Sequence, residues 1–203
     1  MHIDTLLNSV KQQAKSNIND IRLSASSSWE QGRTLYGGIS ASLVYQAMRE
    51  VVNSEKVIRS LSTNFIAPIA ADKEFSITIE ILREGKNVIQ VVGRLVQDSK
   101  VALMSQASFG IARQSKILIP NNLQHKMDYP KKPKFTPHIP KVTPKFLEHF
   151  DLAQTKGGWP FTGKKQSDLH GWMRFKEQSS DFSDAHLIAL IDIWPPTVLQ
   201  MLR

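Results

Sequence analysis

The 203-residue chain has no cysteine. Disulfides, a thiolate nucleophile and cysteine-ligated metal sites are thereby excluded, and the absence suits a reducing compartment such as the cytosol. No apolar run approaches the length of a membrane span, so no membrane partner is expected. The N-terminus is not expected to be a secretion signal, because Asp4, Thr5, Asn8 and Lys11 interrupt any apolar stretch within MHIDTLLNSVKQQAK. The six histidines (2, 125, 138, 149, 170 and 186) show no spacing such as H-E-x-x-H, so no metal site is expected. There is no G-x-S-x-G elbow, Walker A loop or G-x-G-x-x-G turn, which removes the common serine hydrolases and nucleotide-binding folds.

Acidic residues are scarce in one stretch. Between Lys116 and Lys165 ten lysines face only Asp128, Glu148 and Asp151, an excess of seven within a total net charge of +8. The flanking regions are therefore close to neutral, and the basicity describes a connector rather than a basic domain. Seven of the ten prolines (120, 130, 133, 137, 140, 144 and 160) fall in the same texture. Proline removes backbone donors and fixes φ, so this segment reads as an extended connector. Its lysines lack stacking aromatics interleaved in a folded groove, so nucleic acid is not an expected partner.

The chain is organised around Trp29 to Val52. From Ile39 apolar residues recur at Leu43, Val44, Ala47, Met48, Val51 and Val52, which is helical spacing with a broad apolar stripe. Gly37 and Gly38 introduce this helix, where the missing side chains allow a sharp turn and close approach of another group. The free N–H groups of a helix's first turn point at whatever occupies that gap.

Upstream, residues 3–15 predict an amphipathic helix with Ile3, Leu6, Leu7 and Val10 on one face, and residues 19–24 a strand. Downstream, strands are predicted over 57–66, 74–82, 88–97 and 101–112. Phe75, Ile77, Ile79 and Ile81 alternate with polar residues in the clearest of them. Gly85 is available for positive φ in the 83–87 hairpin, and Gly93 is expected to mark a bend or bulge. These segments predict a helix against a four-strand meander with a fifth strand at 19–24.

Beyond the connector, 146–153 and 170–177 read as strands and 157–163 as a turn-rich loop. Residues 184–203 read as a helix with so little polar face that it expects burial nearly all round. Trp159, Trp172 and Trp194 are expected in the core near it.

Taken in order, the Gly-Gly-led helix, RSLSTNFIAPI, ITIEILREGKNVIQVVGRLVQDSKVALMSQASFG, FLEHFDLA, PFTG, GWMRFKE and LIALIDIWPPTVL resemble the acyl-CoA thioesterase II–like proteins. That resemblance implies an α+β double hotdog, in which each unit is an antiparallel sheet wrapped round a central helix. It implies a first unit over 1–114, a Pro/Lys-rich connector over 115–145, and part of a second unit over 146–203. It further implies acyl-CoA as substrate, thioester hydrolysis without a cofactor, and helix-to-helix association of units into a homo-oligomer.

Asp192 falls on the family position for the aspartate that orients the attacking water. The Thr and Gln that accompany it in the family come from strands that would lie beyond Arg203. A carboxylate among apolar residues is costly unless partnered, and such residues tend to be functional. Asp192 therefore reads either as a base that holds the water or as a capping or interface carboxylate. Gly37 and Gly38 either direct N–H groups at the thioester oxygen or merely turn the chain. Tyr36, Ser40 and Gln46 are adjacent polar candidates, for which a solvated helix surface is the alternative. Lys131, Lys132, Lys134 and Lys141 either meet coenzyme A phosphates or keep the connector soluble. A non-catalytic acyl- or CoA-binding or assembly module stands as the alternative function.

Overall fold

A computed structural model describes residues 1–121, 125 and 127–203. The connector positions 122–124 and 126 lie outside the described residues. In chain order the elements are α1 (Ile3–Ser16), β1 (Ile21–Leu23), β2 (Glu30–Gln31), β3 (Thr34–Leu35) and α2 (Gly37–Glu50). They continue with β4 (Val57–Phe65), β5 (Phe75–Glu84), β6 (Val88–Gln97), β7 (Lys100–Gly110), β8 (Phe150–Lys156), β9 (His170–Phe175) and α3 (Asp184–Ile191). Short 3₁₀ turns occupy Ser27–Trp29, Lys145–His149 and Thr197–Met201.

The main sheet is antiparallel with strand order β1-β5-β6-β7-β4. Only β5, β6 and β7 form a meander, so the expected four-strand meander is corrected. The residues after β4, beginning at the Ile66–Ala67–Pro68 bend, carry the chain across the sheet, which leaves β4 at the free edge of β7 and puts β5 beside β1. The β6–β7 turn holds Asp98 and Ser99 at φ 52° and 60°, the left-handed pair that matches the twist of a two-residue hairpin. Gly85, by contrast, does not adopt positive φ.

Helix α2 lies across β5, β6 and β7. Every residue from Gly38 to Met48 is buried, including Ser40, Ser42 and Gln46, so these are not solvated helix-surface residues. Gly93 explains the close fit. A Cβ there would stand 2.6 Å from Val44 Cγ1 and 3.1 Å from Met48 Cγ, so this glycine seats the helix on the sheet. The register irregularity of β6 falls instead between Leu95 and Val96.

Helix α1 packs against α2 and β1 through the predicted face of Ile3, Leu6, Leu7 and Val10. Among the described residues β8 and β9 form a two-stranded sheet of their own. One apolar cluster takes side chains from both halves of the chain, among them Leu43 and Phe109 with Phe146, Phe150, Ala185 and Leu190. Fully burying a side chain of this size contributes ~1.5–3 kcal/mol, so the second half is docked on α2 by packing.

The predicted 184–203 helix is corrected most. It stops at Asp192 and resumes only as the 3₁₀ turn at Thr197–Met201. Pro195 and Pro196 supply the reason: proline has no N–H to donate and pushes the preceding residue out of the helical region. Nor is the segment buried all round, since Leu187, Ile191, Val198, Met201 and Leu202 are exposed. Of the expected core tryptophans, Trp159 is exposed, while Trp172 and Trp194 are half-buried.

Candidate active site

The site is built where α2 begins and α3 ends. The two helices run antiparallel, fastened by side chains of α2 that donate to α3. Tyr36 OH donates to the Ala189 carbonyl at 2.7 Å, Ser42 Oγ to the Ala185 carbonyl at 2.7 Å, and Tyr45 OH to Asp184 Oδ2 at 3.0 Å. This alignment brings Asp192, the residue capping the C-terminus of α3, against the N-terminus of α2.

There the Gly38 N–H is directed at the Asp192 carboxylate and favours its charged form. A Cβ on Gly37 would stand 2.9 Å from Asp192 Oδ2 and 3.0 Å from the Phe65 ring. Glycine at 37 therefore leaves the space the carboxylate uses. A Cβ on Gly38 would stand 2.6 Å from the Tyr36 ring, so glycine at 38 leaves the space the tyrosine uses.

Partial burial raises the Asp192 pKa above its ordinary value, and the Gly38 N–H works in the opposite direction. Asp192 is exposed as a residue; it sits on the rim of a cleft with its carboxyl turned inward. It is not the fully enclosed carboxylate that the apolar sequence around it suggests.

The cleft has a volume of about 490 Å³ and is lined by Gln31, Thr34, Leu35, Gly37, Ser40, Asp192 and the segment from Phe65 to Ile69. Its mouth is apolar, with Phe65 and Ile66 exposed. Its hydroxyls are already engaged. Thr34 Oγ1 accepts from Ile69 N at 2.9 Å and donates to the Ile69 carbonyl at 3.1 Å, pinning the opposite wall. Ser40 Oγ donates to the Tyr36 carbonyl at 3.1 Å.

Of the residues singled out from sequence, the structure brings Asp192, Gly37, Gly38 and Ser40 together at this cleft. Asp192 and Gly37 line the cleft, and Gly38 reaches Asp192 through its N–H. Tyr36 stands behind the wall. It is fully buried, its ring stacks on Phe146 at 4.1 Å, and its hydroxyl is committed to Ala189. Burial, then the neighbouring Asp192 charge, push the Tyr36 pKa far up, so its phenol stays protonated.

Gln31, Thr34 and Phe65 are the residues that sequence reasoning missed. The β2–β3 hairpin that carries the first two is only two residues per strand, too short for a periodic signal. Gly32 at φ 72° was its one trace. Among the described residues no cluster of histidine, aspartate and glutamate is arranged to hold a metal ion. No described helix is long and apolar enough to cross a membrane.

Comparison with solved structures finds the same architecture. A conserved hot dog–fold protein of unknown function from Alicyclobacillus acidocaldarius superposes with a TM-score of 0.74 at 20% identity, covering 91% of this chain and 67% of that one. A protein described as a candidate thioesterase II from Thermobifida fusca gives 0.71 at 15% identity, covering 91% and 70%. The acyl-CoA thioesterase II TesB2 of Mycobacterium marinum gives 0.56 at 20%, covering 85% and 61%. At these identities the likeness shows the hotdog fold. No curated protein sequence matches the chain. The family model for the acyl-CoA thioesterase N-terminal domain matches residues 25–110, and the model for the C-terminal domain matches residues 120–203. With both domain models matched in order along it, the chain belongs to the acyl-CoA thioesterase family.

Proposed function

We propose that the cleft hydrolyses the thioester of acyl-CoA, with Asp192 holding and activating the attacking water. One observation carries this reading: a carboxylate with a raised pKa and the first turn of α2 converge on a single cleft with an apolar mouth. The Gly38 N–H steadies the Asp192 carboxylate, which presents an oxygen to the water. That water attacks the thioester carbonyl, and the carboxylate takes its proton and returns it to the departing thiolate. The positive end of α2 at Gly37 faces the oxygen on which charge develops, the place where oriented N–H groups act most strongly. The exposed Phe65 and Ile66 offer an apolar surface to the acyl chain. Tyr36 serves by fixing Gly38 and α3, with no free hydroxyl for the ligand.

The test is hydrolysis of acyl-CoAs of several chain lengths by the native chain and by Asp192→Asn. Removing a positioned base lowers the rate ~10²–10⁴-fold. Hydrolysis unchanged in the variant removes Asp192 from the mechanism. A second reading, a non-catalytic acyl-CoA-binding module, is favoured by the engagement of Thr34 and Ser40, which leaves no free hydroxyl among the described residues of the cleft to assist Asp192. It predicts acyl-CoA binding with no hydrolysis at any chain length.

A further inference from the structure

A second concave surface lies at the far end of the segment that carries Asp192. After Pro195 and Pro196, the Thr197–Met201 turn buries Gln200, whose side chain accepts from the Gly158 N–H and donates to the Asp168 carbonyl at 3.0 Å. The loop over it is strapped down by backbone bonds from Phe161 N to Leu199 O (2.8 Å), Gly163 N to Leu202 O (2.9 Å) and Lys164 N to Gln200 O (2.8 Å). Gly157, at φ 106°, passes so close to the Asp168 carbonyl that a Cβ would stand 2.5 Å from it. This loop is held rigidly, yet it presents Trp159 to solvent with 53% of its surface exposed.

Two adjoining clefts share Lys156 and Gly157 as a common wall. One, of about 360 Å³, sets Trp159 beside Lys134 and Lys156; the other, of about 290 Å³, sets Lys164 and Lys165 beside Lys156. Among the described residues the only carboxylate lining either is Asp168, already paired with Lys156 at 2.7 Å. Four lysines against one aspartate leave, among the described residues, three positive charges across the two clefts, and the exposed indole lines the first of them. An indole face stacks a nucleobase and clustered ammonium groups take phosphates. Asp192 and Gln200 are eight residues apart with a 3₁₀ turn between them, which keeps them within ~28 Å of each other. A single ligand occupying both sites would carry a thioester at one end and a phosphorylated nucleotide at the other, within that reach.

We propose that this surface binds the adenosine 3′,5′-bisphosphate end of coenzyme A, with the base on Trp159 and the phosphates on Lys164 and Lys165. The proposal rests on acyl-CoA being the ligand of the Asp192 cleft. It moves the phosphate contacts away from the connector lysines 131, 132 and 141.

The experiment is titration of the full chain with coenzyme A and with adenosine 3′,5′-bisphosphate, read by calorimetry. It compares native protein with Trp159→Leu and with the double variant Lys164→Gln/Lys165→Gln. Circular dichroism and melting curves verify that these surface changes leave the fold intact. Each variant is expected to weaken both ligands roughly tenfold. The ratio of kcat/KM for acyl-CoA over that for an acyl thioester lacking the nucleotide falls in parallel. Native affinities retained in both variants, or no binding of either ligand to the native chain, overturn the proposal even where acyl-CoA is hydrolysed. Hydrolysis untouched by Asp192→Asn sinks the water-holding role while leaving this binding contrast intact, so the two readings fail separately.

Discussion

At Asp192 two helix ends act on one carboxylate. As the cap of α3 it sits at the negative end of that helix, which opposes its charge, while it faces the positive end of α2, which favours it. Burial tips the balance and raises its pKa. A carboxyl pKa raised by folding means that the native state binds the proton more tightly than the unfolded chain does. That contribution is fully present below about pH 3.8, and it is lost as pH rises through the folded value. At neutral pH the charged form is therefore held at a cost. Asp192→Asn keeps an oxygen for the Gly38 N–H and is expected to raise Tm at pH 7, with the gain shrinking towards pH 4, while hydrolysis is lost. A melting series that shows the variant less stable at pH 7 contradicts this. In the native chain, hydrolysis is expected to fall on acidification at a pH above that of an ordinary aspartate. The glycine pair separates the same way. Gly37→Ala pushes on the Asp192 carboxylate and the edge of Phe65, which can yield, so activity falls with little change in Tm. Gly38→Ala meets the buried, stacked Tyr36 ring, which cannot yield, and overpacking there costs ~1–3 kcal/mol. Equal melting curves for the two variants would count against this division.

Helix α3 has eight residues, too few to hold itself in water, so its position depends on α2. Its last carbonyls have no intrahelical partners, and the Tyr36 hydroxyl supplies one to Ala189. Tyr36→Phe keeps the ring on Phe146 but strands that carbonyl. The expected loss is ~1–3 kcal/mol in urea unfolding, together with a lower kcat as the Asp192 end of α3 loosens. Unchanged stability would show that the bond contributes nothing net. This dependence also explains what sequence could and could not tell. α1, α2 and the strands of the main sheet were legible because each repeats its apolar residues at its own period. The place of β4 was not, because strand periodicity says nothing about which neighbour a strand takes. The end of α3 was written in Pro195-Pro196, but the density of Leu and Ile around it reads as one long helix. Within the site, Asp192 and Gly37 stand on elements with a clear signal. Thr34 and Phe65 reach the cleft through the hairpin and through the edge strand, a convergence that no local pattern encodes.

The two halves of the molecule meet through titratable groups as well as apolar packing. His149 stacks on Trp29 at 3.9 Å and reaches Ser28 Oγ at 3.0 Å, while His186 Nε2 meets Asp4 Oδ1 at 2.7 Å. Burial, then the amino terminus, lower the His149 pKa to about 4, with the Ser28 backbone pulling the other way. A lowered histidine value means that the unfolded chain takes the proton first, so stability drains as pH falls from about 6.5 to about 4. His149→Phe keeps a ring on Trp29 and is expected to flatten Tm over that window; a slope equal to the native one refutes the assignment. The same scale governs association. Among the described residues β4 pairs only with β7, which leaves its outer edge open. Ile66 N donates inward to the Ala102 carbonyl at 2.8 Å, and N–H groups alternate sides along a strand. Those of Phe65, Thr63 and Leu61 therefore face the open edge. An edge nine residues long, on which Arg59 is the single charged residue and Ser60 and Ser62 are exposed, is a template for pairing. Two copies related by a twofold axis satisfy each other antiparallel, with the same strand on both sides. We therefore expect sedimentation velocity to find a dimer at micromolar concentration. Ser60→Lys/Ser62→Lys, which sets like charges across the axis without touching the core, should shift it to monomer with its melting curve nearly intact. A monomeric native chain, or a dimer indifferent to both lysines, removes β4 as the contact.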